Sequence, residues 1–161
     1  DMVYLTSSTG VGAGVIVGGR LLHGTRSMAE IGHTIIDRAT GDTVESLGSG
    51  TTLTRLVGED AASVTARAQA GEPDAVRDMA TVAEAFAVGV LNMVHLFSPE
   101  RVVIGGGMSQ AGDLLLGPIR AMLAESDARF YSGRVDVVRA AGGDDVGLKG
   151  VPKVTGGRLK P

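Results

Sequence analysis

At 161 residues with 43% hydrophobic content, the chain is sized for one compact domain with a substantial core, which excludes a pair of small stapled domains. Fifteen Lys and Arg against eighteen Asp and Glu leave a net charge of −3 with no basic run longer than two residues, which argues against nucleic acid bound by this domain. The absence of Cys removes disulfides, thiolate metal sites and Cys nucleophiles, and fits a reducing, cytoplasmic setting.

The chain opens on Met2-Val3-Tyr4-Leu5-Thr6, a β-rich run with no turn or cap before it, as though it continued from upstream polypeptide. Two apolar runs, Val15-Ile16-Val17 and Leu21-Leu22, are split by Gly18-Gly19, so the first 23 residues predict a three-stranded meander with a primed turn. Ile35 and Ile36 are expected in another strand or its edge. Helical spacing follows at Thr51 to Val57 and at Ala61 to Ala70. A long helix then starts from Pro73, with Val76, Met79, Ala80, Ala83, Phe86, Ala87, Val90, Leu91 and Val94 at steps of three and four. Met79 and Met93 are core candidates.

The most apolar stretch, Ala83 to Phe97, is interrupted by Glu84, Asn92 and His95 and falls short of the roughly 20 residues a bilayer needs, so neither a membrane span nor a signal peptide is expected. Val102-Val103-Ile104 predicts a buried strand, Leu114 to Ala124 a helix, Val135 to Val138 a last strand, and Gly142-Gly143-Asp144-Asp145 the start of a short final helix. The order of elements implies a mixed α/β domain around one central sheet.

Glycine is the compositional anomaly, 25 of 161 residues, about 16% against roughly 7% in average proteins. Thr6 to Gly14 places glycines at 10, 12 and 14 after a strand, a pattern that lets backbone N–H groups face an anion or simply makes a β-turn. A second strand follows it rather than a helix, which excludes the dinucleotide fingerprint, and the Gly-Lys-Ser/Thr of a Walker loop is missing. Gly105-Gly106-Gly107 after a buried strand suits either close approach of a nucleotide or tight strand–helix packing. Glu30 and His33, three residues apart, share a face if that segment is helical, and with Glu45 they suit vicinal sugar hydroxyls. The alternative is an exposed Glu beside a satisfied His. His33 as a metal ligand lacks a Cys or a second nearby His to complete a set, and His23 and His95 read as structural.

Taken together these segments resemble the carboxy-terminal domain of the ROK family of sugar kinases and sugar-responsive repressors. The residues that carry the resemblance are Leu5-Thr6 through Gly14, the Glu30-Ile31-Gly32-His33 signature, Glu45 with Ser49-Gly50, Ser98-Pro99-Glu100 leading to Gly105-Gly106-Gly107, and Asp144-Asp145-Val146-Gly147-Leu148. The match covers nearly the whole chain, in order.

The resemblance implies an actin-like, ribonuclease-H-type fold, with ATP and Mg²⁺ held between two lobes and a hexose or amino-hexose in the cleft. It implies that Thr9, Gly10 and Gly12 meet the nucleotide phosphates, that Gly105, Gly106 and Gly107 border the adenosine, and that Glu30, His33 and Glu45 bind sugar hydroxyls. Relatives commonly form homo-oligomers.

Two departures qualify it. Thr34 to Val44 holds no Cys where relatives often carry a zinc loop, so no structural zinc is expected and His33 needs another partner to fix its ring. The amino-terminal lobe, with its first phosphate loop and general-base Asp, has no counterpart here. Residues 1–161 are therefore read as one domain, the carboxy-terminal lobe of a sugar kinase, holding no catalytic base and inactive alone. The rival readings are the ligand-binding domain of a sugar-responsive repressor and a kinase that uses polyphosphate.

Overall fold

The computed structural model of the chain describes residues 1–25, 28–130 and 135–141. In β1 (Met2–Ser7), Val3, Leu5 and Ser7 are buried while Met2, Tyr4 and Thr6 are half-buried on the opposite face, the period of two that a strand imposes. β2 (Val11–Val17) returns antiparallel to β1 with Ser7 opposite Val11, and β3 (Arg20–Leu21) pairs antiparallel with β2. Gly18 and Gly19 take φ of 58° and 72°, as the primed turn requires, so the meander is present.

β4 (Arg101–Gly105) lies parallel to β1 on its other side, and β5 (Asp136–Arg139) lies parallel to β4, giving a mixed sheet in the order β3-β2-β1-β4-β5. The expected strand at Ile35 and Ile36 does not form. Ile35 makes an isolated bridge to Thr43 and is 64% exposed, because that segment runs outside the sheet with no neighbour to extend a ladder.

Among the described residues, five α-helices accompany the sheet: α1 (Val44–Gly48), α2 (Gly50–Val57), α3 (Ala61–Gln69), α4 (Pro73–Phe97) and α5 (Asp113–Phe130). Pro73 opens α4 in its first turn. Ser98, in the left-handed region at φ 44°, closes it ahead of Pro99. Met79, Val82, Ala83, Phe86, Val90 and Met93 of α4 are essentially inaccessible, joining Val3, Leu5, Val102 and Ile104 in one core. Burying each of the larger side chains stabilises the fold by about 1.5–3 kcal/mol.

At 25 residues α4 extends well beyond the apolar stretch read from sequence, and by length and composition it is able to span a bilayer. Here it packs against α1, α3 and α5, the place of a core helix. His95, near its end, sits with Nε2 2.9 Å from Ser126 Oγ and so links α4 to α5.

The short α1 has no periodicity to announce it, since five residues make little more than one turn. Its start is fixed by a capping box: the Thr43 side chain accepts from the Ser46 N–H, and Ser46 Oγ accepts from the Thr43 N–H. Its packing on α4 is close. A Cβ on Gly48 would come within 2.8 Å of the Phe86 nitrogen, and one on Gly89 within 2.7 Å of a Val44 methyl. The predicted final helix from Gly142 and the segment Asp144 to Leu148 lie outside the described residues.

Candidate functional site

The Glu30-Ile31-Gly32-His33 segment is held by its backbone. Glu30 is the centre of an inverse γ-turn at φ −73° and ψ 54°, with the Ile31 N–H donating to the Ala29 carbonyl at 2.7 Å, and Ile31–His33 then makes one turn of 3-10 helix. That geometry puts His33 Nε2 4.0 Å from Glu30 Oε2, with the side chains 72% and 48% exposed respectively. The shared face expected of the two residues is therefore formed, on a 3-10 turn.

Gly32 explains the spacing of this motif. A Cβ there would overlap the Val11 carbonyl oxygen, so a side chain at this position would push Glu30 and His33 off the start of β2. Val11 is gripped at its other end as well. Its N–H donates to Glu45 Oε2 at 2.8 Å, and a Cβ on Gly10 would come within 2.5 Å of the same oxygen. Val11 thus packs Gly32, the residue between Glu30 and His33, on its carbonyl and binds Glu45 through its amide. The charge-assisted bond fixes the Glu45 carboxylate and leaves Oε1 able to accept a further donor.

The loop before β2 faces a cavity of about 550 Å³ lined by Ser8, Thr9, Gly50, Thr51, Thr54, residues of α3, and Gly107, Met108 and Gln110. Thr51 Oγ1 donates to the Thr9 carbonyl at 2.6 Å and the Gly50 N–H to the Ser8 carbonyl at 2.7 Å, which ties the loop to the start of α2. Thr9 and Gly107 of the sequence-predicted set therefore lie on one cavity, while Gly10 lies against Glu45. Gly12 sits within β2 opposite Thr6, where a Cβ would make ordinary contact 3.5 Å from the Thr6 methyl.

The three consecutive glycines separate into different duties. A Cβ on Gly105 would collide with the Tyr4 hydroxyl. Gly106, at φ 82°, sits against the Ser7 carbonyl and would bring a Cβ within 2.5 Å of Thr6 Oγ1. For these two, tight packing is sufficient reason for glycine. Gly107 has nothing within 4 Å of its missing Cβ, and it lines the cavity where the 3-10 turn Gly107–Ala111 begins.

Missed in the sequence was the second wall of the cavity: Ala61, Ala62, Thr65, Ala66 and Gln69 of α3. Their small side chains recur at helical steps of three and four, a readable stripe that resembled ordinary helix filling. Among the described residues, none that lines the cavity is charged. Arg67, the one cation of α3, is engaged by Glu72 at 2.7 Å and Glu59 at 2.9 Å, which hold its guanidinium above its ordinary pKa. Among the described residues, no group of three His, Asp or Glu side chains gathers to hold a metal ion.

Comparison with known proteins shows the chain's family and fold. The chain is 37% identical over 158 residues to the bifunctional enzyme NanE/NanK of Brucella melitensis, covering 94% of this chain and 30% of that protein. It is 29% identical over 186 residues to the glucokinase of Thermotoga maritima, covering 98% and 59%. Among solved structures, a ROK family glucokinase from Streptomyces griseus, in complex with glucose and AMPPNP, superimposes with a TM-score of 0.81 at 26% identity, over 92% of this chain and 58% of that one. The chain thus spans from under a third to about three-fifths of the length of these relatives. The mixed sheet with flanking helices is that of the ROK sugar kinases, which have the actin-like ATPase fold. The sequence profile of the ROK family matches residues 1–154, and the chain belongs to that family.

Proposed function

We propose that this chain is the sugar- and nucleotide-binding lobe of an ATP-dependent sugar kinase, which transfers the γ-phosphoryl group of ATP to a hydroxyl of a hexose or amino-hexose. The observation that carries the reading is the stretch Thr9-Gly10-Val11. Thr9 lines the cavity, and Val11 holds Glu45 through its amide and Gly32, the residue between Glu30 and His33, on its carbonyl. Two residues span at most about 7 Å, so a nucleotide in the cavity and a sugar on the trio would bring phosphate and hydroxyl into the range that in-line transfer needs.

In the transfer, the sugar oxygen forms a bond to the γ-phosphorus as the bond to the leaving ADP oxygen breaks, and the hydroxyl proton passes to a base. The trio would accept sugar O–H groups through Glu30 and Glu45, while His33 donates or accepts. Thr9 and the adjoining backbone amides would face the phosphates. Mg²⁺ enters with ATP as part of the substrate and neutralises charge on its phosphate oxygens. The base belongs to a second lobe outside these residues. Gly10, placed by sequence with the phosphates, is given a second duty here, since its bare Cα admits the Glu45 carboxylate.

The cavity favours the kinase reading over a repressor, which needs the sugar trio but no donor slot beside it. The test is turnover of glucose, mannose and N-acetylated hexosamines with MgATP by the complete polypeptide, beside the 161-residue chain alone. The complete protein is expected to phosphorylate one of these sugars, and the isolated chain to phosphorylate none. A complete protein that binds sugar and bends operator DNA, with no turnover on any sugar, would overturn the proposal.

A further inference from the structure

Two of the elements that wall the cavity beside Thr9 are α3 and the 3-10 turn Gly107–Ala111, and one side chain bridges them. Gln69 Nε2, at the end of α3, donates to the Gln110 carbonyl at 2.9 Å. Both residues line the cavity. The Gln110 side chain is engaged in turn by Arg139 of β5, so the strap is anchored to the sheet. A carbonyl only accepts, which fixes the amide with its nitrogen toward Gln110 and its oxygen turned away.

We propose that Gln69 is a positioning residue for the base of a nucleotide donor, holding α3 and the 3-10 turn at the separation that admits a flat, neutral heterocycle. This rests on the kinase reading above and extends it to the class of donor. The lining is neutral and largely small: Ala61, Ala62, Ala66, Thr54 and Thr65 give apolar contact, and no Lys or Arg is among the lining residues. A neutral base loses little by leaving water there. A polyphosphate chain brings charge that would be desolvated against this lining, where the described residues supply no cation and Arg67 of α3 is held by Glu59 and Glu72. The donor is thus a nucleoside triphosphate recognised through its base, with inorganic polyphosphate a poor substitute.

The experiment uses the complete protein and compares ATP with inorganic tripolyphosphate, which has the phosphates and no base. Gln69→Ala is expected to raise the KM for ATP and the Kd for a fluorescent ATP analogue about five- to tenfold, the worth of one lost hydrogen bond. The inhibition constant of tripolyphosphate and the KM for sugar should stay unchanged. Thermal melts confirm that the variant folds, so that a change in ATP affinity is read from folded protein. Unchanged ATP affinity in Gln69→Ala, or equal weakening of ATP and tripolyphosphate, would overturn the proposal while leaving the kinase reading intact. Wild-type protein that binds sugar and no nucleotide would overturn the kinase reading and this proposal with it.

Discussion

The proposed acceptor side, around Glu30, His33 and Glu45, and the proposed donor side, the cavity beside Thr9, are built by different means. The donor side is walled by α2, α3 and two loops, with hydroxyls and backbone groups tying the walls together. On the proposed acceptor side His33 and Glu30 stand 72% and 48% exposed, placed by the backbone between them, where Gly32 packs on Val11. A cavity needs burial on several sides, whereas hydrogen-bonding groups for a polyol need only fixed positions. The proposed second lobe would supply what the acceptor side lacks, water exclusion and a base.

Gly106 packs on the end of β1, just ahead of the loop that leads to Thr9 and Val11, and substitution there should be the most damaging. Gly106→Ala combines a left-handed φ with overlap on the Ser7 carbonyl, for an expected loss of about 3–5 kcal/mol, measured by denaturant unfolding. Gly32→Ala breaks the comparison more selectively. The overlap with Val11 should cost about 1–3 kcal/mol, and displacing Glu30 and His33 by even an ångström should lower kcat/KM for sugar about a hundredfold. Affinity for an ATP analogue should hold in Gly32→Ala. Parallel loss of both affinities would show that the two sides are one cooperative unit.

Glu45 sharpens the acceptor side. Glu45→Ala leaves the Val11 N–H without its partner and should cost about 1–3 kcal/mol, with weaker sugar binding. Glu45→Gln can still accept from Val11 through its amide oxygen, so calorimetry should find stability nearly retained and sugar affinity reduced. On the donor side, Thr51→Val removes the bond to the Thr9 carbonyl, expected to cost about 1 kcal/mol and to raise the KM for ATP without moving that for sugar.

The parts legible in the sequence were those with a period or a steric demand. A β-rich run gave β1, three- and four-residue steps gave α4, and Gly18-Gly19 gave the turn between β2 and β3. The Glu30 and His33 pair was visible through spacing, but the reason for Gly32 between them was not, because its neighbour Val11 lies 21 positions away in the chain. The α1 helix that carries Glu45 is too short to show a period, and its position comes from the reciprocal approach of Gly48 to Phe86 and Gly89 to Val44, contacts between distant segments. The cavity wall on α3 was hidden for a different reason. Alanines that leave room for a ligand and alanines that fill a helix look the same until the space in front of them is known.

The smallest effect should come from the hydroxyl network at the start of α1. Thr40 Oγ1 and Ser46 Oγ donate to the two Asp42 oxygens at 2.7 and 2.9 Å, and these bonds, that from Thr40 foremost, hold the Asp42 carboxyl below its ordinary value of 3.8. A carboxyl whose folded pKa is depressed contributes stability that is fully present above its unfolded value and lost as pH falls through its folded one. The contribution is therefore constant at neutral pH and fades below about pH 3.8. Asp42 is solvent-exposed, so its effect should be local: in the wild type, acid should loosen the Thr43 cap before the core, read as faster amide exchange at Ser46 and Leu47. Asp42→Asn should remove that acid-dependent step and leave the donor cavity untouched. An exchange profile at these amides that is the same in both proteins from neutral pH into acid would show that the Thr43–Ser46 capping box alone orients the helix bearing Glu45.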